Sequence, residues 1–211
     1  MTQEIAVFYT RVPVLEREAI GKLMSALSPS ERQRAAGFAF DADRNAFVVA
    51  HALARRTLDR APAQRPVRLS LSHSTGLAAC AVAAADIGIG VDVEAIRHRP
   101  DLIAVAQNYF AESECRHLAT LAPALQARDF TRLWTLKEAA VKAAGADLTR
   151  GLQEFCFTLD PLALTGPADR ALWHFAEFVP APGHRAALAL RGPPCPAVEI
   201  AWQEIDIASL V

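Results

Sequence analysis

The sequence predicts an α+β fold of two similar halves, each with helices packed on a small antiparallel sheet. Apolar residues recur first with helical spacing and then with strand alternation, and this succession occurs twice, on either side of a break at Arg97-His98-Arg99-Pro100. The composition of the 211 residues, 52% hydrophobic and 21% charged, suits a chain with a substantial core and excludes disorder or collagen-like repeats. The expected division is residues 1–98 and 99–211.

In the first half, Ile5 to Tyr9 reads as a strand and Leu15 to Leu27 as an amphipathic helix. Ser28-Pro29-Ser30-Glu31 then supplies helix-capping chemistry. Asp43 to Leu58 carries apolar positions at helical spacing and ends in the proline-bearing stretch 61–66. Strands follow at Val67 to Ser72, Leu77 to Ala84 and Ile87 to Val93, the first two joined by the turn Ser74-Thr75-Gly76. The second half predicts helices at Leu102 to Gln107, Glu112 to Leu121 and Arg128 to Ala144, the last stopped by Gly145. Its strands are Phe155 to Leu159, Ala171 to Val179, Ala186 to Arg191 and Val198 to Glu204.

Charge and cysteine usage narrow the function. Lys and Arg number 22 against 23 Asp and Glu, a balance that argues against a broad nucleic-acid face. Cys80, Cys115, Cys156 and Cys195 form no CxxC pair, so reduced thiols and a cytoplasmic setting are expected. The N-terminal residues lack a basic region followed by an apolar core, and the longest apolar run, Leu77 to Ala85, is too short to span a membrane.

The segment Ile87-Gly88-Ile89-Gly90-Val91-Asp92-Val93-Glu94 is unusual. As a strand it puts the branched residues on one face and Gly88, Gly90, Asp92 and Glu94 on the other. Glycine in a strand marks close approach of a ligand or another backbone, and two carboxylates at i and i+2 repel unless a cation lies between them. A solvated acidic strand end and a cation site are both open on this reading. The helix through residues 128–144 stacks Trp134, Glu138 and Lys142 along one stripe. Such a Glu-to-Lys pair commonly decorates a surface, but the chain has only three lysines, Lys22, Lys137 and Lys142, against 19 arginines. Lys137 lies about 100° around the helix from Glu138 and is expected to matter less than Lys142. Ser72 and His73 end a strand together. Adjacent strand residues face opposite ways, so they make no nucleophilic dyad and are better suited to donating hydrogen bonds to an anion or a turn. Eight arginines against four acids in residues 30–68 add a local basic surplus that could meet phosphates. Three carboxylates with no Cys or His among them favour Mg²⁺ or Mn²⁺ over zinc, and together these groups suggest chemistry at a phosphate ester or diphosphate.

Taken in order, Leu71-Ser72-His73-Ser74, Gly90-Val91-Asp92-Val93-Glu94, Tyr109-Phe110-Ala111-Glu112-Ser113-Glu114 and Leu133-Trp134-Thr135-Leu136-Lys137-Glu138-Ala139-Ala140-Val141-Lys142 resemble the Sfp-type 4′-phosphopantetheinyl transferases. A weaker match from Ser28-Pro29 through Asp43-Arg44 to His51–Arg56 extends the likeness over nearly the whole chain. The resemblance implies a pseudo-dimeric α+β fold, a monomer with an internal pseudo-twofold, with coenzyme A and Mg²⁺ in the cleft between halves. It implies transfer of the 4′-phosphopantetheine arm of coenzyme A to a serine of an apo acyl or peptidyl carrier protein, releasing adenosine 3′,5′-bisphosphate, in fatty-acid or secondary-metabolite synthesis. By position, Asp92, Glu94 and Glu138 would hold the cation and Lys142 would contact the diphosphate. Glu138 would be the base for the carrier serine, directly or through a water, and Ser72 and His73 would lie near the 3′-phosphate.

Two departures qualify the likeness. The family's Gly-Lys-Pro segment before the Ser-His-Ser motif is absent, which leaves Arg44, Arg55, Arg65 and Arg68 as the candidates for the 3′-phosphate. Ala111 stands where a serine usually caps the helix holding Glu114, a loss of about 1 kcal/mol. Phe110 and Leu118 are expected either to contact the carrier or to belong to the core. Two other functions compete with transfer: another Mg²⁺-dependent phosphodiester enzyme, and a non-catalytic module that binds coenzyme A or carriers.

Overall fold

The computed structural model describes residues 3–60, 66–147, 151–166, 169–193 and 198–211. The chain divides into two compact units, residues 1–86 with 195–211, and residues 87–194.

The first unit opens with strand β1 (Gln3–Arg11), followed by helices α1 (Arg17–Ser25), α2 (Pro29–Ala36) and α3 (Asp41–Arg60) and strands β2 (Val67–Ser74) and β3 (Leu77–Ala84). Ser28 caps α2 in a reciprocal box with Glu31: its hydroxyl accepts the Glu31 N–H, and its own N–H donates to Glu31 Oε2 at 2.7 Å. Helix α3 buries Phe47, Val48, Val49, Ala50 and Leu53, and it packs on β2 and β3. β1 runs antiparallel to β3, and β9 (Val198–Glu204) adds to its other edge in parallel, giving the sheet order β2-β3-β1-β9.

The second unit repeats that plan. Strand β4 (Gly88–Ala95) leads to helices α4 (Leu102–Tyr109), α5 (Glu112–Ala119) and α6 (Pro123–Ala144). A short hairpin, β5 (Phe157–Leu159) with β6 (Leu162–Leu164), precedes β7 (Trp173–Phe178) and β8 (His184–Arg191). The sheet order is β4-β8-β7, all antiparallel, with α6 laid on β4 and β8. Each unit is thus a strand, three helices and a returning pair of strands, the last of which pairs with the first.

Two expectations are corrected. The division falls at 86/87 instead of 98/99, because β4 is the opening strand of the second unit and pairs with β8 along its whole length. The strand at 198–204 returns to the first unit, where its pairing with β1 is parallel, so that sheet is not purely antiparallel. The predicted elements otherwise recur with shifted ends; β6, only three residues long, is too short to show a period.

Gly88 and Gly90 mark the approach of a backbone, that of α6. A methyl group at Gly90 would stand 2.7 Å from the Ala143 amide nitrogen and closer still to the Ala139 carbonyl, and one at Gly88 would run into the Ala143 carbonyl. Those glycines therefore explain how closely α6 sits on β4, and they say nothing of a cation. The helix ends as expected at Gly145, in the left-handed conformation with φ 64°.

Candidate active site

Close seating of α6 on β4 fixes the carboxylates. Asp92 is 1% exposed, and its Oδ1 lies 2.7 Å from Lys142 Nζ. The same ammonium donates to the Val91 carbonyl at 3.1 Å and lies 3.6 Å from Glu138 Oε2, one helical turn earlier. Glu94 is two residues along β4, in the register position across from Arg185 of β8. Burial pushes the Glu138 carboxyl up to about 7, and the charges of Asp92 and Glu94 push the same way against the opposing pull of Lys142 and a hydrogen bond from Trp134. Burial disfavours the Lys142 charge, but Asp92 and Glu138 outweigh it and hold its pKa above the ordinary value.

The chain thus brings Asp92, Glu138 and Lys142 together, with Glu94 near enough to be felt by both helix residues. Among the described residues no group of three or more His, Cys, Asp or Glu side chains stands ready to hold a metal. The carboxylates share the ammonium of Lys142 instead, since crowded negative charges draw the nearest cation. By donor chemistry they fit a hard cation, because all the available atoms are carboxylate oxygens.

Lys137 differs from expectation. It is fully buried, and its Nζ lies 2.8 Å from Glu114 Oε2. It also donates to the carbonyls of Leu152, at 3.0 Å, and Phe155, and sits 5.1 Å from the Phe110 ring centroid. Glu114 in turn accepts the N–H groups of Ala111 and Phe157, each at 2.8 Å. Ala111 itself offers no side-chain cap, as its lack of a hydroxyl predicts. Phe110 and Leu118 are 6% and 0% exposed and belong to the core, which removes both as carrier contacts.

In the first unit, Ser72 and His73 point to opposite faces of β2. Ser72 is buried with Ser70 and Ser74, whereas His73 meets the rings of Phe38 and Phe47 edge-on, at centroid distances of 6.4 and 6.0 Å. The arginines are dispersed. Arg44 pairs with Asp41 at 3.0 Å, Arg55 is engaged by Glu31, and Arg68 donates to the Ala85 carbonyl at 2.6 Å. Arg65 lies outside the described residues, as does Cys195. Two residues that the sequence placed only within longer segments, His51 and Arg34, join this group. His51 lies over Phe47 at 4.2 Å with Nδ1 2.8 Å from Glu31 Oε1, and the Arg34 guanidinium stands 5.6 Å from the Phe47 centroid. The helical spacing of Phe47 and His51 was the available signal.

A carboxylate raised in basicity, paired along one helix with a half-buried ammonium, is the equipment of an enzyme that moves a proton while charge builds nearby. The family described as the 4′-phosphopantetheinyl transferase superfamily matches residues 88–189, which hold the whole of this cluster. The chain is 29% identical over 206 residues to the 4′-phosphopantetheinyl transferase HetI of Nostoc sp., covering 86% of each. It is 32% identical over 98 residues to a 4′-phosphopantetheinyl transferase of Bacillus subtilis, 46% of this chain and 42% of that one. A crystal structure of a holo-(acyl-carrier-protein) synthase from Bacillus anthracis, in complex with CoA (3′,5′-ADP), matches 50% of this chain and 96% of its own, with 16% identity and a TM-score of 0.44. Over residues 88–189, just under half of the chain, this protein is similar to the 4′-phosphopantetheinyl transferase superfamily.

Proposed function

We propose that this protein transfers the 4′-phosphopantetheine arm of coenzyme A to a serine of an apo acyl or peptidyl carrier protein, releasing adenosine 3′,5′-bisphosphate. The observation that carries the reading is the Asp92–Lys142–Glu138 cluster, which lies wholly within the residues matched by the family. A serine hydroxyl is a poor nucleophile near neutral pH and must lose its proton during attack. Glu138, beside Lys142 on the same helix, is the group proposed to take it, directly or through a water. As the serine Oγ bonds to the phosphorus bearing the pantetheine arm, the bond to the bridging oxygen breaks and charge collects on the departing adenosine bisphosphate. Lys142, held cationic by its carboxylate neighbours, meets that charge.

Asp92, Glu94 and Glu138 are proposed to hold Mg²⁺, or Mn²⁺ in its place. When bound, the cation would draw charge from the diphosphate and lower the barrier to its departure. In the first unit, Ser72, His73, Arg44, Arg55, Arg65 and Arg68 are proposed for the phosphates of the coenzyme. The reading places the enzyme in the cytoplasm as a monomer with an internal pseudo-twofold, with neither nucleic acid nor membrane among its partners. Among the described residues no helix is long and apolar enough to cross a membrane. Mass spectrometry of an apo carrier protein incubated with enzyme, coenzyme A and Mg²⁺ tests it. A gain of one phosphopantetheine arm on the carrier is expected, and unchanged carrier mass together with intact coenzyme A overturns the reading.

A further inference from the structure

Helix α6 is gripped on two sides, and Glu138 and Lys142 lie between the grips. On one side β4 takes the stripe of Ala139 and Ala143, because Gly88 and Gly90 put no side chain between strand and helix. On the other side the segment 151–157 takes the stripe of Lys137 and Val141. Gly151 lies so close to Val141 that a methyl group there would stand 2.7 Å from Cγ2. One turn earlier, the Lys137 ammonium donates to the carbonyls of Leu152, at 3.0 Å, and Phe155. Glu114 closes this second grip from α5, pairing with Lys137 at 2.8 Å and accepting the Phe157 N–H at 2.8 Å. Successive residues of a helix stand about 100° apart. Glu138 and Lys142 therefore project about 100° from each gripped stripe, and from residue 133 to residue 143 they and Trp134 alone are not buried.

The two grips differ in kind. Contact with a strand that lacks side chains fixes how near the helix lies, but it offers no ridge to stop the helix turning about its own axis. A fully buried ammonium held by one carboxylate and two carbonyls does resist turning, because rotation breaks bonds that water cannot replace in the interior. The angle matters to chemistry. A roll of about 20° carries a side-chain tip about 6 Å from the axis through about 2 Å, and misplacing a reacting group by about 1 Å can cost about a hundredfold in rate. Stability is a weaker reason for the pair, since an uncharged pair of similar volume is often as stable as a buried ion pair. We infer that Lys137, held by Glu114 and by the carbonyls of Leu152 and Phe155, is a positioning residue that fixes the rotation of α6 and so aims Glu138 at the incoming serine. The inference rests on the proposed transfer reaction, and it adds to that reaction a residue that touches no substrate.

Steady-state kinetics with an apo acyl carrier protein and coenzyme A, measured well below each Tm, test it with three variants. Lys137→Met combined with Glu114→Gln removes both charges at nearly constant volume, so the protein should fold with a Tm within about 5 °C of wild type. Its kcat should fall about tenfold or more, while the KM values for coenzyme A and carrier each stay within about threefold. Gly151→Ala keeps the ion pair and presses a methyl group on Val141, which should turn α6 and lower kcat about fivefold. Leu164→Ala, the control, opens a cavity at β6 in the same core and should lower Tm with kcat within about twofold of wild type. A folded double variant with wild-type kcat overturns the inference, as does a loss confined to KM or an equal loss of kcat in Leu164→Ala. If the double variant does not fold, Gly151→Ala decides, and wild-type kcat there overturns the inference. Failure of the wild-type protein to modify the carrier overturns the transfer reading and the inference with it.

Discussion

Replacing Lys137 by alanine tests the packing of the second unit at its most constrained point. The variant removes an ammonium held by Glu114 at 2.8 Å and by the carbonyls of Leu152 and Phe155, and it strands the Glu114 carboxylate in the interior. Breaking a buried pair from one side costs about 3 to 5 kcal/mol, because the remaining charge keeps its desolvation penalty and loses its compensation. For a chain of this size each kcal/mol lowers Tm by about 2 to 4 °C, so Lys137→Ala should lose about 10 °C. The control is Lys22→Ala, whose exposed pair with Glu18 at 3.3 Å is worth about 0.5 kcal/mol or less. Thermal unfolding of wild type, Lys137→Ala, Glu114→Ala and the double variant should show non-additivity of about 1 to 3 kcal/mol, since the second loss removes a charge already orphaned. A Tm for Lys137→Ala within about 3 °C of wild type, or strict additivity, would refute the reasoning.

Gly90→Ala should cost more than the roughly 1 to 3 kcal/mol of ordinary overpacking, since its methyl meets backbone of α6, while Gly21→Ala, with nothing within 4 Å, should stabilise α1 by up to about 1 kcal/mol; urea unfolding of both separates the two. Burial raises the Glu31 carboxyl, but the Ser28 N–H and Arg55 hold it down to about 2, so the unfolded chain, with a value near 4.5, takes up the proton first. Stability from this group is therefore intact above about 4.5 and lost as pH falls toward about 2, and Glu31→Gln should flatten acid unfolding in that window. Lys142→Ala should lower kcat more than it raises the KM for coenzyme A, because its ammonium matters most as charge builds on the leaving group; equal effects on both would count against that role. If arginines grip the 3′-phosphate, dephospho-coenzyme A should bind about tenfold to a hundredfold more weakly, and one of the changes Arg44→Gln, Arg55→Gln, Arg65→Gln or Arg68→Gln should erase most of that preference.

Local pattern made most of the secondary structure legible. Periodicity found the long helices and the strands, and the capping signal at Ser28 and the stop at Gly145 both correspond to observed geometry. Pairing was less legible, because nothing in Val198 to Glu204 states that its partner is β1, nearly the whole chain away, or that the two run parallel. Spacing also brought Glu138 and Lys142 together, yet it could not tell Lys137 from a surface lysine. The stripe on a helix gives direction, and only the neighbouring chain decides whether a direction is inside. The partners of Lys137, Glu114 with Leu152 and Phe155, come from 15 or more residues away.

The membership of β9 in the first sheet has a consequence for how the protein comes into being. The second unit is one continuous stretch, 87–194, whereas the first is completed by a strand that follows it in the chain. A ribosome therefore delivers every strand of the second sheet before the last strand of the first. Domains tend to fold as units while the chain emerges, so the later-numbered unit can settle while the earlier one still shows the open edge of β1. Of the two units, the one begun first is the last to be finished, and until β9 arrives that edge offers unpaired backbone groups to any extended chain nearby.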